Sequence, residues 1–474
     1  MSFADADLAR LLVALAVLLL AAHGVGHLFR YFHQPAAIGE IAGGILLGPS
    51  ALAEISPSVQ HWIFPASGSS AAALGAVYQL GLLLLMFTAG AEMRRLLQRD
   101  AVRTVGLIAS LGLVLPFALG LGLVAMLGTS RYIGTAGNRT ALTLVFGMAI
   151  AVTSIPVISR IMHDLGLLGT RFARIVLSVA VIEDVVLYVV LAVAIGLVST
   201  AGSQAFGLPA ALNVHGVLPS SVYHSVVAVL FLGVALTAGG MVYQRLRANP
   251  LARRSPVAFQ FLWMLSLSAG ALALGLVPLY GAFVAGIAVA STSMSASASA
   301  SASAGASADA SARGMTDGAA EAAAGDGAGV LGGNALAGVS FGFFIPVYFA
   351  IIGIQLDLIH HFDVLFFLGF LAFACVAKAA SVYLGARLSR ENRFVSASLA
   401  IAMNARGGPG IVLASTGYAA GIINETFFVS LVMLSVVTSL LAGSWLERVA
   451  VRLGAGRPDG GKAGAEVPGD LSAA

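Results

Sequence analysis

Thirteen stretches of nearly unbroken apolar residues, joined by short polar or charged segments, lie at about 9–29, 36–53, 71–92, 102–127, 140–163, 171–198, 222–245, 257–275, 278–291, 335–357, 363–388, 394–420 and 424–446. Most reach the roughly 20 residues that a helix needs to cross a bilayer core. Those at 36–53 and 278–291 are short. The pattern predicts an all-α polytopic membrane protein of about 13 transmembrane helices. One stretch differs in kind: 291–334, opening STSMSASASASASAGASADASARG, is Ala, Ser and Gly with almost no bulky side chain. It cannot bury enough apolar surface to offset its ordering entropy, so a disordered cytoplasmic linker is expected there. The chain then divides into membrane helices 1–9 (1–290), the linker (291–334), membrane helices 10–13 (335–446) and a cytoplasmic polar tail (447–474).

Composition strengthens this picture. Of 474 residues, 59% are hydrophobic and only 10% charged, against about 25% charged in soluble proteins. Mean hydropathy is +0.95 and the pI about 9.4. A basic pI raises the question of nucleic acid, but the basic residues are spread through short loops, which fits membrane orientation instead. The single cysteine, Cys375, sits in an apolar segment and has no partner for an intrachain disulfide. Asp5 and Asp7 make the N-terminus unlike a signal peptide, so the first apolar run is kept as a span.

Loop charge sets the orientation. With the N-terminus outside, twenty of the 25 Lys and Arg residues fall in inner loops and the tail, while only Arg10, Arg131 and Arg139 fall outside. Lys378 and Arg406 stay within the membrane. Adding or dropping a span would scatter that bias, so thirteen spans with a cytoplasmic C-terminus are expected.

Two segments carry interruptions. In LVFGMAIAVTSIPVISRIMHDLG, Pro156 removes a backbone donor, and Thr153 and Ser154 can satisfy the groups it frees. In FVSASLAIAMNARGGPGIVLASTG, the run Asn404-Ala405-Arg406-Gly407-Gly408-Pro409-Gly410 cannot continue as an ordinary helix. The two lie seven segments apart, each between long spans. Such breaks at corresponding places in two halves point to an inverted-repeat transporter site. They expose half-helix ends at the midplane, where Thr153 and nearby carbonyls offer oxygens to a hard cation and Arg406 can neutralise carbonyl ends.

Between them lies the feature with the clearest chemistry. Glu183 and Asp184 sit at the middle of the apolar run from Phe172 to Val198, near the bilayer midplane. An ionised group there costs about 2.5–3.5 kcal/mol on insertion scales. Lys378 lies at similar depth in another span. Neighbours on a helix point about 100° apart, so Asp184 is expected to be the main ion- and proton-binding carboxylate, with Glu183 turned to Lys378 or to another part of the cavity. Transport of a cation or proton follows as the first expectation.

The stretches QPAAIGEIAGGILLGPSAL (34–52), LGLLLLMFTAGAEM (80–93), TSIPVISRIMHDLGLLGTRFARIVLSVAVIEDVVLYVVLAV (153–193), PLYGAFVAGIAVA (278–290), FFIPVYFAIIGIQLDL (343–358) and NARGGPGIVLASTGYAAGIINETFFVSLVMLSVVTSLLAG (404–443) run in order through nearly the whole membrane region. They resemble the monovalent cation:proton antiporter-2 family within the sodium/proton exchanger superfamily. The resemblance implies the sodium/proton antiporter fold, with inverted repeats and two crossed, discontinuous helices, and a homodimer. It also implies Glu183–Asp184 as the acid pair, Lys378 as its charge partner, and Thr153–Pro156 with Arg406–Gly410 (Gly407 and Pro409 among them) as the crossing. The expected function is exchange of Na⁺ or K⁺ for protons across the inner membrane. The alternative is an uncoupled or ligand-gated K⁺ efflux pathway.

Other features carry less. His23 and His27 have metal-like spacing but no further ligand. Glu40 and Glu92 fall near segment ends, where solvation or capping accounts for them. The GxGxxG match from Gly327 to Gly332 follows no strand and lies in low-complexity sequence. Tyr188, one turn beyond Asp184, reads as packing. No nucleophile–base constellation stands out, so no enzyme activity, cofactor or resident metal is expected. The expected partners are monovalent cations, protons, lipid and a second copy of the chain, with no nucleic acid.

Overall fold

Apolar length dictates the architecture, and polar caps mark where its helices begin. The computed structural model describes residues 4–32, 34–96, 102–127, 131–167, 170–199, 207–212, 217–290 and 335–453. Among them every regular element is a helix, apart from one isolated antiparallel bridge between Ile133 and Ile423. Among the described residues, ten helices are long and apolar enough to cross a membrane. With them come two interrupted helices, Arg139–Ala151 with Ile155–Asp164 and Arg393–Ala402 with Gly407–Ala419, and the short Pro278–Ala290. Together these account for the thirteen apolar segments.

Some boundaries differ from expectation. The first helix runs Asp5–Tyr31, wider than its apolar stretch. A short helix, Pro57–Ile63, lies in the joint after the second segment, where none was expected; it buries Gln60 and Ile63. The last helix, Glu425–Val449, continues as a 3₁₀ turn through Ala450–Leu453, past the expected boundary at 446, because Ala450 and Leu453 are buried. The segment 291–334 and the tail beyond 453 lie outside the described residues.

The order long helix, interrupted helix, long helix occurs twice: Val102–Leu127, Arg139–Asp164, Arg171–Ser199, and then Val364–Leu388, Arg393–Ala419, Glu425–Val449. Both interrupted helices start at an asparagine whose side chain caps the first turn. Asn138 accepts from Ala141 N at 3.0 Å and Asn392 from Val395 N at 2.8 Å. Thr170, Asp363 and Asn424 cap three of the long helices in the same way. Each cap satisfies an amide that would otherwise lack a partner.

Among the membrane-length helices, the last of each triplet lies deepest. The most apolar window is 61% buried in Arg171–Val198 and 67% in Glu425–Leu453, against 17% in the first helix. Lipid offers little hydrophobic drive for helix association, so close packing by small residues does that work. Ala36–Leu47 and Ile345–Ile354 meet backbone to backbone: a Cβ on Gly44 would sit 2.0 Å from Ala350 O, and one on Gly353 would sit 2.2 Å from Ile41 O.

Candidate functional site

The two interruptions cross. Helix Arg139–Ala151 ends as Val152, Thr153 and Ser154 leave helical conformation, and Ile155–Asp164 begins beyond them. Pro156 is the second residue of that new helix. Proline has no amide hydrogen for the carbonyl four residues back, here that of Val152, so a helix continued through Pro156 would forgo that bond. In the second interruption Pro409 is the third residue of Gly407–Ala419. It has no amide hydrogen to offer Ala405 O, and that carbonyl instead accepts from Ser154 N at 2.6 Å. Thr153 Oγ1 donates to Met403 O at 2.6 Å. Gly407 makes the crossing possible: its φ is +31°, and a Cβ there would lie 2.2 Å from Val157 Cγ2 and 2.7 Å from Ser154 Oγ. Gly407 N donates to Ser439 Oγ of the last helix at 3.2 Å.

A helix end leaves its last four carbonyls without intrahelical partners, and all four at Ala151 are met. Met148 O accepts from Val152 N at 2.9 Å. Ala149 O accepts from Arg406 Nε and Ile150 O from Arg406 Nη2, both at 3.0 Å. Ala151 O accepts from Lys378 Nζ. Two cations from the second half thus close the partially negative end of a half-helix in the first. Arg406 spends its remaining donors on Ala374 O at 3.0 Å and on Asn404 O and Oδ1, each at 3.2 Å. All five guanidinium hydrogens have acceptors.

Lys378 is equally committed. Besides Ala151 O it donates to Gly112 O at 2.9 Å and to Glu183 Oε1 at 2.7 Å, which exhausts its three donors. The Gly112 carbonyl is free because the residue four positions on is Pro116, which lies inside Val102–Leu127 and has no amide hydrogen to return. Lys378 and Glu183 both have 0% side-chain exposure. Gly112 also borders the acid: a Cβ on it would lie 3.3 Å from Glu183 Oε1 and 3.0 Å from Val382 Cγ2.

Asp184 stands apart. It is 0% exposed, and neither carboxylate oxygen has a hydrogen-bond partner among the described residues. Glu183 Oε2 and the Tyr188 hydroxyl share that condition. Leaving a buried acceptor unmet costs about 1–3 kcal/mol, and more for a charged group. Each of these unmet oxygens, all on one helix, is of the chemical kind that a proton, a water or a hard cation satisfies.

The structure thus joins Thr153, Ser154, Arg406, Gly407, Lys378 and Glu183 through a continuous set of bonds, with Asp184 beside Glu183 and unbonded. Pro156 and Pro409 shape the two half-helix starts. Gly112 and Pro116 belong to the site and were not singled out in the sequence. Their signal was present as a proline inside LGLVLPFALG, read only as part of a span. Glu40 differs from expectation: it lies inside Ala36–Leu47, partly buried, with its Cγ 3.4 Å from the place of a Cβ on Gly26. The neighbouring helix Asp5–Tyr31 packs closely there and shields it. His23 Nε2 pairs with Gly342 O at 2.9 Å. No group of three or more metal-ligating residues occurs among the described residues.

Comparison with known proteins bears on family and fold. The sequence profile described as "Sodium/hydrogen exchanger, transmembrane" matches residues 13–452. The chain is 35% identical to Cation/H(+) antiporter 18 of Arabidopsis thaliana over 187 residues, 39% of this chain but only 22% of that much longer protein. Na(+)/H(+) antiporter NhaS4 of Synechocystis is 24% identical, with 93% of this chain and 97% of the relative covered. Na(+)/H(+)-K(+) antiporter GerN of Bacillus cereus is 23% identical, with 91% and 94% covered. The solved sodium proton antiporter MjNhaP1 from Methanocaldococcus jannaschii superposes with a TM-score of 0.57 at 14% identity, covering 94% of this chain and 100% of that one, which establishes the shared fold. This multi-pass membrane protein belongs to the transmembrane sodium/hydrogen exchanger family, a family of transporters rather than enzymes.

Proposed function

We propose that the protein exchanges a monovalent cation, Na⁺ or K⁺, for protons across the cytoplasmic membrane, by competition at Asp184 and alternating access. The observation that carries this reading is the contrast within the acid pair. Glu183 is held by Lys378 at 2.7 Å, while the fully buried Asp184 has two unbonded oxygens. A proton or a small cation satisfies those oxygens, and the two exclude one another. Proton release opens the site to the cation; reprotonation on the other side expels it. The relatives named as Na(+)/H(+) and Na(+)/H(+)-K(+) antiporters support the same reaction class.

Thr153, Ser154, Arg406, Gly407 and Pro409 support the site by fixing the crossing, and Glu183 and Lys378 balance its charge. The N-terminus lies outside and the C-terminus in the cytoplasm, as the loop charge favours, and the working unit is a homodimer. The test is purified protein in proteoliposomes carrying a pH-sensitive dye. Wild type should move protons when Na⁺ or K⁺ is added, and Asp184→Asn should not, while keeping its fold. Full exchange by Asp184→Asn, or cation flux without a pH change, defeats the proposal.

A further inference from the structure

Tyr188 lies four residues after Asp184 on helix Arg171–Ser199, so the two share one face. Helical side chains lean toward the N-terminus, which directs the phenol back over Asp184. Tyr188 is 0% exposed and packs its ring on Phe283 with centroids 4.5 Å apart. Its hydroxyl lies within electrostatic reach of Asp184 and Tyr348, yet has no hydrogen-bond partner among the described residues. Three other tyrosines behave differently. Tyr280 donates to Ala228 O at 2.8 Å, Tyr223 donates to Leu274 O at 3.0 Å, and Tyr348 pairs with Ser415 Oγ at 3.3 Å. A buried tyrosine hydroxyl ordinarily finds a partner, and phenylalanine would serve for packing alone. The unmet oxygens of the region are therefore Asp184 Oδ1 and Oδ2, Glu183 Oε2 and the Tyr188 hydroxyl.

We propose that the Tyr188 hydroxyl is a direct ligand of the exchanged monovalent cation and helps set which cation is preferred. The assignment rests on Asp184 being the site of cation and proton competition. The hydroxyl bonds neither Asp184 nor any other described group, so it can turn a lone pair toward a cation held by Asp184. A neutral oxygen adds to coordination without adding charge. The groups that bear on this balance are Glu183 on the same helix, Lys378 on Val364–Leu388 and Tyr348 on Ile345–Ile354.

The experiment compares wild type, Asp184→Asn and Tyr188→Phe in proteoliposomes with Li⁺, Na⁺, K⁺ and Rb⁺ across pH. Tyr188→Phe keeps the ring against Phe283, so the fold is retained. It should raise the apparent KM for the preferred cation about five- to tenfold, the effect of one lost hydrogen-bonding group, with the maximal rate much less affected. It should also narrow the preference among cations. In detergent, the rise in melting temperature caused by adding the preferred cation should shrink. An active wild type, an inactive Asp184→Asn and a Tyr188→Phe with unchanged KM, cation order and cation-induced melting shift overturn the tyrosine assignment alone. A wild type without exchange, or an exchanging Asp184→Asn, removes the site reading and the tyrosine with it.

Discussion

The charged residues at the helix crossing divide into two sets with opposite states of satisfaction. On the basic side, Lys378 and Arg406 have an acceptor for every donor, half of them backbone carbonyls set free by the break after Ala151 or by Pro116. On the acidic side, one of four carboxylate oxygens is engaged and three have no partner among the described residues. The cations thus complete a scaffold, and the acids leave a vacancy in hydrogen bonding. A protein that must release a ligand each cycle cannot satisfy its binding group permanently. The bonds that hold the crossing, by contrast, gain from being complete. On the proposed reading, structure and exchange chemistry are separated within two adjacent residues of one helix.

The strongest way to break this comparison is to neutralise each acid in turn. Asp184→Asn should reduce exchange to background with little loss of thermal stability, because its oxygens hold nothing in the resting protein. Glu183→Gln should keep measurable exchange but melt at lower temperature, because Lys378 loses its counter-charge. Equal effects of the two variants on both measurements would erase the distinction.

Next in size is removal of the scaffold cation. Lys378→Ala leaves Glu183 buried without its partner, a loss on the order of 3–5 kcal/mol, and uncovers the Ala151 carbonyl. Adding Glu183→Gln should restore part of that stability, since a neutral amide is cheaper to bury than an unpaired carboxylate. A double variant no more stable than Lys378→Ala, judged by melting temperature, would show that the charge pair is not what Lys378 stabilises.

A smaller effect is expected at Pro116. Pro116→Ala returns an amide hydrogen to the Gly112 carbonyl and removes a helix-disfavouring residue. The helix should become no less stable, while Lys378 shares an acceptor it now has to itself. Exchange should slow severalfold without a fall in melting temperature. Unchanged exchange would demote the freed carbonyl to a packing detail.

The smallest effect lies outside the membrane segments, at the turn before Val364. Asp357 accepts from Ile359 N at 3.1 Å and His360 N at 2.9 Å, and pairs with the His360 ring. Partial burial pushes its carboxyl up, but these hydrogen bonds outweigh that and hold it below the usual carboxylate range. With the folded value lowered, its stabilisation is present above the ordinary value of about 3.9 and disappears as pH falls through the lower folded value. Melting temperature should therefore show no Asp357-dependent change from neutrality down to mild acid. Asp357→Asn should remove only an acid-side slope below about pH 4. A difference in slope near neutrality would contradict this.

Much of the molecule is written in its one-dimensional pattern. Apolar runs fix where helices can lie, since backbone groups in lipid must bond within their own segment. That is why segments such as 36–53 and 102–127 coincide with helical elements. The acid pair, Lys378 and both interruptions were also legible, because charge, glycine and proline are costly in a membrane and conspicuous for that reason. Only the tertiary structure decided which freed carbonyl meets which donor. Nothing in the sequence near Pro116 says that Lys378, 266 positions from Gly112, takes the carbonyl that proline releases. Nor does it say that Arg406 closes the Ala149–Ile150 end, and it left Glu183 to face either Lys378 or another part of the cavity, a choice that the crossing decides in favour of the lysine. Local sequence determines which backbone and side-chain groups lack partners; partners drawn from distant segments are set by how the helices cross.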